Sequence, residues 1–422
     1  MIGGQPTRKE VHVNRFWKQL RWIDEQRGRM TQLLQAFASI NTGTYNVAGL
    51  QRFSQALFPL LRELGGEITE TALEPHHVID DRGQAESRSL GRVLSLRSAS
   101  GAERLPRVLL AIHTDTVFAE DSTFQDVTSL GDDRLRGPGV CDAKGGLLVM
   151  LFALRALERS EFSGALSWEV LLNPDEEIGS PGSARLFAEA ARRNDVGLLF
   201  EPALPDGSLV SSRKGSGTFT IVVRGRAAHA GRDSHLGRNA IHALAGLISR
   251  LAESAADGVV INTGWIHGGG AVNIVPDLAL CGINVRVETV LHQQAFEREL
   301  RERAAAYANA DGIRLECHGG FTAPPKPLTV ATGRMLQQLR DCAAELGFPL
   351  AWHATGGVCD GNRLAAAGLP TVDSLGVRGG NIHTEEEFVV IDSLVQRARL
   401  VALFLMRMAA GEISVEHEGG HS

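Results

Sequence analysis

Seven side chains of metal-ligating type stand in a fixed order along the chain. They are His113 and Asp115 in LLAIHTDTVF, Asp142 in GPGVCDAKGG, Glu176 and Glu177 in LLNPDEEIGS, Glu201 in LLFEPA, and His383 in GGNIHTEEE. Imidazole nitrogen and carboxylate oxygen together suit zinc, and two zinc ions sharing one carboxylate form a device for activating water. A single histidine or aspartate at a strand end is ordinarily a satisfied polar residue. Paired glutamates ahead of a helix ordinarily serve its dipole. Here three apolar runs, VLLAIH, LSWEVLLN and VGLLFE, each lead into residues of this set. Packing alone does not call for that repetition.

Runs of this kind read as buried parallel strands, and ligand sites of open α/β sheets collect at the carboxyl ends of such strands. The surrounding elements fit that plan. Apolar residues recur at helical spacing over 13–40 and 47–65. GRVLSLRSAS and PRVLLAIH read as strands, LLVMLFALRALERS as a buried helix, and PGSARLFAEAARR as a second helix with Pro181 at its opening turn. Strands alternating with helices predict a doubly wound α/β layer. Near residue 214 the pattern changes. GTFTIVVRGRAAH reads as a strand, GRNAIHALAGLISRLAES as a helix, TGWIHGGGAVNIVPDLALCGINVRVE as two strands, LHQQAFERELRERAAAYANA as a helix and IRLECHGGF as a strand. That succession is β-α-β-β-α-β, the ferredoxin-like α+β arrangement. TAPPKPL reads as the return linker, TGRMLQQLRDCAAELG as a helix and LPTVDSLG as a strand. The expected division is a catalytic domain of residues 1–213 and 327–422 interrupted by a smaller domain of residues 214–326, with His383 rejoining the first sheet.

The segments HTDTV, GPGVCDAKGG, DEEIGS, EPA, RAAHAG and IHTEEE, in this order from about residue 30 to about residue 410, resemble the zinc metallopeptidase family of glutamate carboxypeptidase, acetylornithine deacetylase and succinyl-diaminopimelate desuccinylase. The resemblance implies hydrolysis of an amide bond next to a free carboxylate, with two zinc ions per subunit and cobalt or manganese as substitutes. It implies that Asp142 bridges the metals, with His113 and Glu201 completing one site and Glu177 and His383 the other. Spacing alone leaves open which of Glu176 and Glu177 ligates. The resemblance makes Glu177 the ligand and Glu176 the general base that takes a proton from water and passes it to the leaving amine. Asp115, two residues beyond His113 and on the same strand face, is expected to accept a hydrogen bond from that ring. A cis peptide is expected at Asp142–Ala143. The smaller domain is implied to make a homodimer, with His229 in AAHAG reaching the partner subunit's site to steady an oxyanion. Asn273 in AVNIVPD and Arg286 in NVRVE match positions that hold the substrate carboxylate, a task suited to the planar guanidinium. Asn284 departs from the family, which often has Asp there. Gly357 and Asp360, in TGGVCDGNRLAAAG, are expected to shape the pocket floor.

Composition sets the outer limits. At 422 residues the chain can hold two domains, and 43% hydrophobic with 22% charged residues is ordinary for a globular protein. A net charge of −6 gives no sign of a nucleic-acid or anionic-membrane partner, and no apolar run approaches the roughly 20 residues that span a bilayer. The opening MIGGQPTRKEVHVNRFWKQL has basic residues and no apolar core, so a cytoplasmic protein is expected. Five cysteines without CxxC spacing fit reduced thiols. Cys141 is expected to point away from Asp142 and Cys359 to be a small buried filler. No GxSxG elbow appears, which weighs against a serine hydrolase. The leading reading is a carboxypeptidase-like hydrolase acting on a small acyl- or peptidyl-amino acid. The alternatives are an N-acyl amino acid deacylase and, more remotely, a binding protein with a vestigial site.

Overall fold

A computed structural model describes residues 15–98, 105–253, 255, 257–308 and 312–414. The outer ends of the 13–40, 91–100 and 291–310 readings, and the opening segment, fall partly or wholly outside these residues. Ten helices are described: α1 (Trp17–Glu25), α2 (Arg27–Ala38), α3 (Val47–Arg62), α4 (Lys144–Glu158), α5 (Ala184–Arg193), α6 (Ala240–Glu253), α7 (Val290–Ala308), α8 (Val330–Glu345), α9 (Asp360–Ala366) and α10 (Asp392–Ala409). The stretch of helical spacing over 13–40 holds two helices that meet at Gln26. Among the described residues no helix is long and apolar enough to cross a membrane.

The larger sheet contains β1 (Glu67–Ala72), β2 (Arg92–Arg97), β3 (Arg107–His113), β4 (Ser167–Asn173), β5 (Val196–Leu199) and β10 (Thr371–Val372), in the order β1-β2-β4-β3-β5-β10. β3, β4, β5 and β10 run parallel, while β1 and β2 close one edge antiparallel. β3 is buried at every position after Arg107, as a strand covered on both faces must be. Alternate residues go to alternate layers. Val108, Leu110 and Ile112 join the core built with α4 and α10, whereas Leu109 and Ala111 pack with Phe187 of α5 and Leu364 of α9. This is the doubly wound sandwich that the apolar runs predict.

The second sheet contains β6 (Gly215–Arg224), β7 (Val259–Gly268), β8 (Leu278–Val287) and β9 (Arg314–Ala323), ordered β7-β8-β6-β9 and antiparallel throughout. With α6 after β6 and α7 after β8, the succession is β-α-β-β-α-β, as read from the sequence. Ile221, Val223, Cys281, Ile283 and Val285 face Leu244, Leu247, Phe296 and Leu300 of the two helices. The chain leaves for this sheet at Arg213 and returns at Lys326, and there the two backbones exchange hydrogen bonds of 2.9 and 3.0 Å.

Three smaller pairings lie outside the sequence reading. His76–Ile79 and Ala85–Arg88 form a hairpin, and Leu209–Arg213 pairs in parallel with Trp352–Thr355. A four-stranded ribbon joins Thr128–Gly131 and Arg134–Arg136 to Phe388–Val390 and Gly379–Gly380. These strands are too short to show a period. The run LPTVDSLG keeps only two residues in strand form, and α5 starts three residues beyond Pro181, so that proline precedes the helix instead of opening it.

Candidate metal centre and substrate cavity

His113 closes β3, Glu176 and Glu177 follow β4 in a short 3-10 turn, and Glu201 follows β5 by two residues. Three parallel strands thus deliver acids and an imidazole to one edge. Asp142 comes from the turn ahead of α4, where the Asp142–Ala143 peptide is cis, as expected. Gly146 lets α4 press against the strand end: a Cβ there would stand 1.9 Å from the Phe200 carbonyl oxygen, next to Glu201. His383 arrives on a loop and has a left-handed φ of 64°.

The two oxygens of Asp142 face opposite ways. Oδ1 lies 3.1 Å from His113 Nε2, and Oδ2 lies 3.2 Å from His383 Nε2. Glu201 Oε2 stands 3.7 Å from His113 Nε2, and Glu177 Oε2 stands 3.3 Å from His383 Nε2. Two groups of ligand atoms, His113–Asp142–Glu201 and Asp142–Glu177–His383, each lie within 4.8 Å of one another and share Asp142. All five sequence-predicted ligands are brought together.

The electrostatics call for cations. Burial raises Glu177 to about 7, and Asp142 adds to the shift. Burial and then the Glu201 carboxylate push Glu176 well above the usual carboxylate range, and burial raises Glu201 as well. Burial opposes charge on His113, yet Glu201, Asp115 and Asp142 hold it well above its ordinary value. His383, hydrogen-bonded by Asp142 and Glu177, is raised to about 10. Carboxylates this close cannot all ionise unless positive charge lies among them. Glu177 Oε1 is buried without a hydrogen-bond partner. The donor set and the crowded negative charge both fit divalent metal.

Asp115 takes a broader part than expected. The nearest acceptor to His113 Nδ1 is the Asp115 backbone carbonyl at 3.0 Å, with carboxylate Oδ1 at 3.4 Å. The carboxylate accepts the backbone N–H groups of Glu176 (3.1 Å) and Glu177 (3.2 Å) and the Thr44 hydroxyl (2.7 Å). It ties β3 to the acid pair. Glu387, the third acid of HTEEE, is a residue that sequence reasoning missed. It is fully buried, and its carboxylate accepts N–H groups from Gly139, Cys141 and Asp142. Burial raises it to about 7. Nothing in a run of three glutamates marks which one turns inward.

A cavity of about 750 Å³ opens from this centre and is lined by Glu176, Arg213, Arg286, Gly357, Asp360 and Arg363, among others. Arg286 donates through Nε to Asn284 Oδ1 at 2.9 Å, while its buried Nη1 has no acceptor. Asn284 turns its amide NH2 to Ser216 and Thr218, each at 3.2 Å. An aspartate could not make those donations and would neutralise the arginine. Gly357 is exposed, and an added Cβ would meet Arg213 Nη1 at 3.6 Å, an ordinary contact. Asp360 lines the cavity, as expected, and is anchored beneath it: buried and raised to about 6 by desolvation, it accepts from Asn173 (2.8 Å) and Ser180 (2.5 Å).

His229 and Asn273 are brought to each other but not to the cavity wall. The Ala230 N–H donates to the Asn273 carbonyl at 2.9 Å, and both side chains are exposed beside the second sheet. His229 Nδ1 accepts from the backbone of Gly231 and Arg232, which puts the ring proton on Nε2. Cys141 is buried with its sulfur against Gly379, outside both ligand groups. Cys359 is buried too, and its sulfur accepts the Gly361 N–H at the start of α9.

Residues 109–407 match the profile of Peptidase family M20/M25/M40. Carboxypeptidase G2 of Pseudomonas sp. (strain RS-16) is 28% identical over 397 residues, covering 92% of this chain and 91% of its own. Succinyl-diaminopimelate desuccinylase of Nitrosospira multiformis is 29% identical over 337 residues, covering 74% and 86%. Among solved structures, a tripeptidase from Staphylococcus aureus superposes with a TM-score of 0.72 at 22% identity, covering 91% of this chain and 99% of that one. A metallo-carboxypeptidase from Sulfolobus solfataricus gives 0.69 at 17%, covering 90% and 99%. The structural likenesses show the fold.

Proposed function

Because the chain belongs to Peptidase family M20/M25/M40, we propose that it is a two-zinc hydrolase of an amide or peptide bond next to a free carboxylate, most like a glutamate carboxypeptidase. The observation that carries this reading is Asp142, whose two oxygens address two histidines from distant parts of the chain. His113, Asp142 and Glu201 would hold one ion and Asp142, Glu177 and His383 the other. When bound, the ions supply Lewis-acid polarisation and lower the pKa of water.

The protein's own groups do the rest. Glu176, inside the cavity and raised by burial and then by Glu201, accepts a proton from the attacking water and delivers it to the leaving amine. Arg286, with a buried unpaired N–H and an uncharged neighbour in Asn284, grips the substrate carboxylate. Asn273, bonded to the His229 segment and away from its own cavity, would hold the substrate carboxylate at the site of a second subunit, and Gly357 leaves room beside Arg213. His229, remote from its own cavity, serves the site of a second subunit in a homodimer. In this reading residues 1–213 and 327–422 carry the chemistry, residues 214–326 form the inserted unit, and the enzyme works in the cytoplasm on a small acyl- or peptidyl-amino acid. The desuccinylase match favours a second reading, deacylation of an N-acyl amino acid by the same groups.

The test is a panel of N-acyl and N-peptidyl amino acids, assayed before and after chelation. Hydrolysis should vanish on chelation and return with zinc, cobalt or manganese. A fully stripped protein that still turns over would end the metal reading. The preferred acyl or peptidyl group decides between the two activities.

A further inference from the structure

We propose that Glu387 is a positioning residue of the metal centre, fixing the loop that carries His383 against the turn that carries Asp142. The inference rests on the two-metal reading above and deepens it. His383 and Asp142 lie 241 positions apart in the chain, and two of the ligand atoms of one group come from them. Half of the His383 side chain is exposed, and the contacts of its Nε2 are the carboxylates of Asp142 and Glu177. Its place therefore depends on how its loop is held.

Glu387 holds that loop at close range. It sits four residues beyond His383 and is fully buried. Oε1 accepts the N–H of Cys141 at 2.8 Å and of Asp142 at 3.0 Å, and Oε2 accepts the N–H of Gly139 at 3.1 Å. The Glu387 carbonyl accepts a fourth N–H, from Gly137, at 3.2 Å. On the other side, the Glu387 N–H donates to Thr384 and the Thr384 N–H to Asn381, so the tie is transmitted through the loop that bears His383. The neighbouring ribbon, where Phe388 pairs with Arg136, continues the same join.

A carboxylate is the side chain this geometry needs. Three converging N–H donors meet a group that only accepts. A glutamine would turn an NH2 toward at least one of those donors, and a shorter acid would not reach all three. Buried N–H groups left without acceptors are costly, so the turn would shift to find others. The shift would fall on Asp142, whose own N–H is one of the three.

The experiment is metal titration of the apoprotein, by calorimetry with Zn2+ and by absorption with Co2+, for the parent, Glu387→Gln, Glu387→Asp and Glu169→Gln. Glu169 is also a buried carboxylate, bonded to Arg193 and Asn194 and outside the cavity lining, so it reports generic loss of stability. Either Glu387 variant should weaken the more loosely held ion about 10- to 100-fold, the usual range for losing a group that orients a ligand. The Co2+ spectrum should change in the same variants, and Glu169→Gln should bind both ions as the parent does. Folded Glu387 variants that bind both ions within about twofold of the parent would overturn the inference, as would an equal loss in Glu169→Gln. If Glu387→Gln does not fold, Glu387→Asp decides by the same measure. A parent that takes up no metal sinks the proposed function itself. Two ions in the parent and an unchanged Glu387 variant sink only this inference.

Discussion

The Asp115 carboxylate receives the backbone N–H of Glu176 at 3.1 Å, so a residue two positions past His113, just beyond the end of β3, also sets where the acid pair begins. The same carboxylate holds the N–H of Glu177. With both backbones fixed, the two glutamates differ in the direction of their side chains. Both line the cavity, but Glu177 joins His383 and Asp142 in one ligand group, while Glu176 belongs to neither group. Glu176→Gln should therefore retain fold and metal and lose about 100-fold or more in turnover, the usual cost of removing a general acid–base group. Glu177→Gln should lose metal. Metal content by atomic absorption and kcat on the same samples test this assignment; low metal in Glu176→Gln with full metal in Glu177→Gln would reverse it.

Arg286 is the guanidinium in the cavity with an unpaired, buried N–H beside an uncharged partner. Amidation of the substrate carboxylate should cripple hydrolysis by the parent, and Arg286→Ala should show little preference between acid and amide. The ratio of kcat/KM values for the two substrates measures the contact. A preference as strong in the variant as in the parent would assign the carboxylate to another residue.

His229 has its Nδ1 committed to the backbone and its Nε2 proton directed elsewhere. Donation to an oxyanion of a partner subunit makes a specific prediction. Losing one such donor costs about 100- to 1000-fold, so His229→Ala should be nearly inactive, as should Glu176→Gln. Mixed under conditions of subunit exchange, the two variants should recover activity, because one site in each heterodimer keeps both residues. A mixture that stays dead places the histidine within its own subunit.

Much of this arrangement is legible in the sequence because it depends on local signals. Apolar strands that stop at His113, Asn173 and Leu199 put their following acids at one edge whatever the details of packing. The β-α-β-β-α-β succession needs only the change of period near residue 214. What escapes such reading is set by tertiary contact. Glu387 is chosen over Glu385 and Glu386 by the path of a loop that includes left-handed Asn381 and His383. Thr44 reaches Asp115 from 71 residues away. The expectation that Asp115 orients His113 captures the neighbourhood but not the main-chain carbonyl that comes closest to the ring, since a side-chain rule says nothing of where the backbone bends.

Asp373 is another group of that kind. Its carboxylate accepts Arg213 Nε at 3.0 Å, Arg213 Nη2 at 2.7 Å and Lys326 Nζ at 2.6 Å, all in the interior. Burial disfavours its charge, but Arg213 and Lys326 outweigh that and hold it below the usual carboxylate range. Asp373→Asn leaves two buried cations short of an anion and should cost about 3–5 kcal/mol at pH 7. Because the folded-state value is depressed, the advantage of the parent is complete above the unfolded value near 4 and fades as pH falls below it. Urea unfolding at pH 7, 5 and 3 should show a constant gap between parent and variant at the first two and a narrower one at the third. A gap unchanged at pH 3 would contradict the ionised assignment.

The paired backbones at Arg213 and Lys326 have a consequence for how such an enzyme can diversify. More than a hundred residues enter and leave the hydrolytic framework through two adjacent, mutually bonded positions. The framework therefore closes on itself as if the excursion were a single long loop, and loop length weighs only logarithmically on stability. Insertions, deletions or wholesale replacement between these two points leave His113, Asp142, Glu177, Glu201 and His383 in register, while they alter the wall that holds Arg286. Appetite for new substrates can thus change by exchange of a cassette that keeps a donor in the place of His229, with the metal-holding framework untouched.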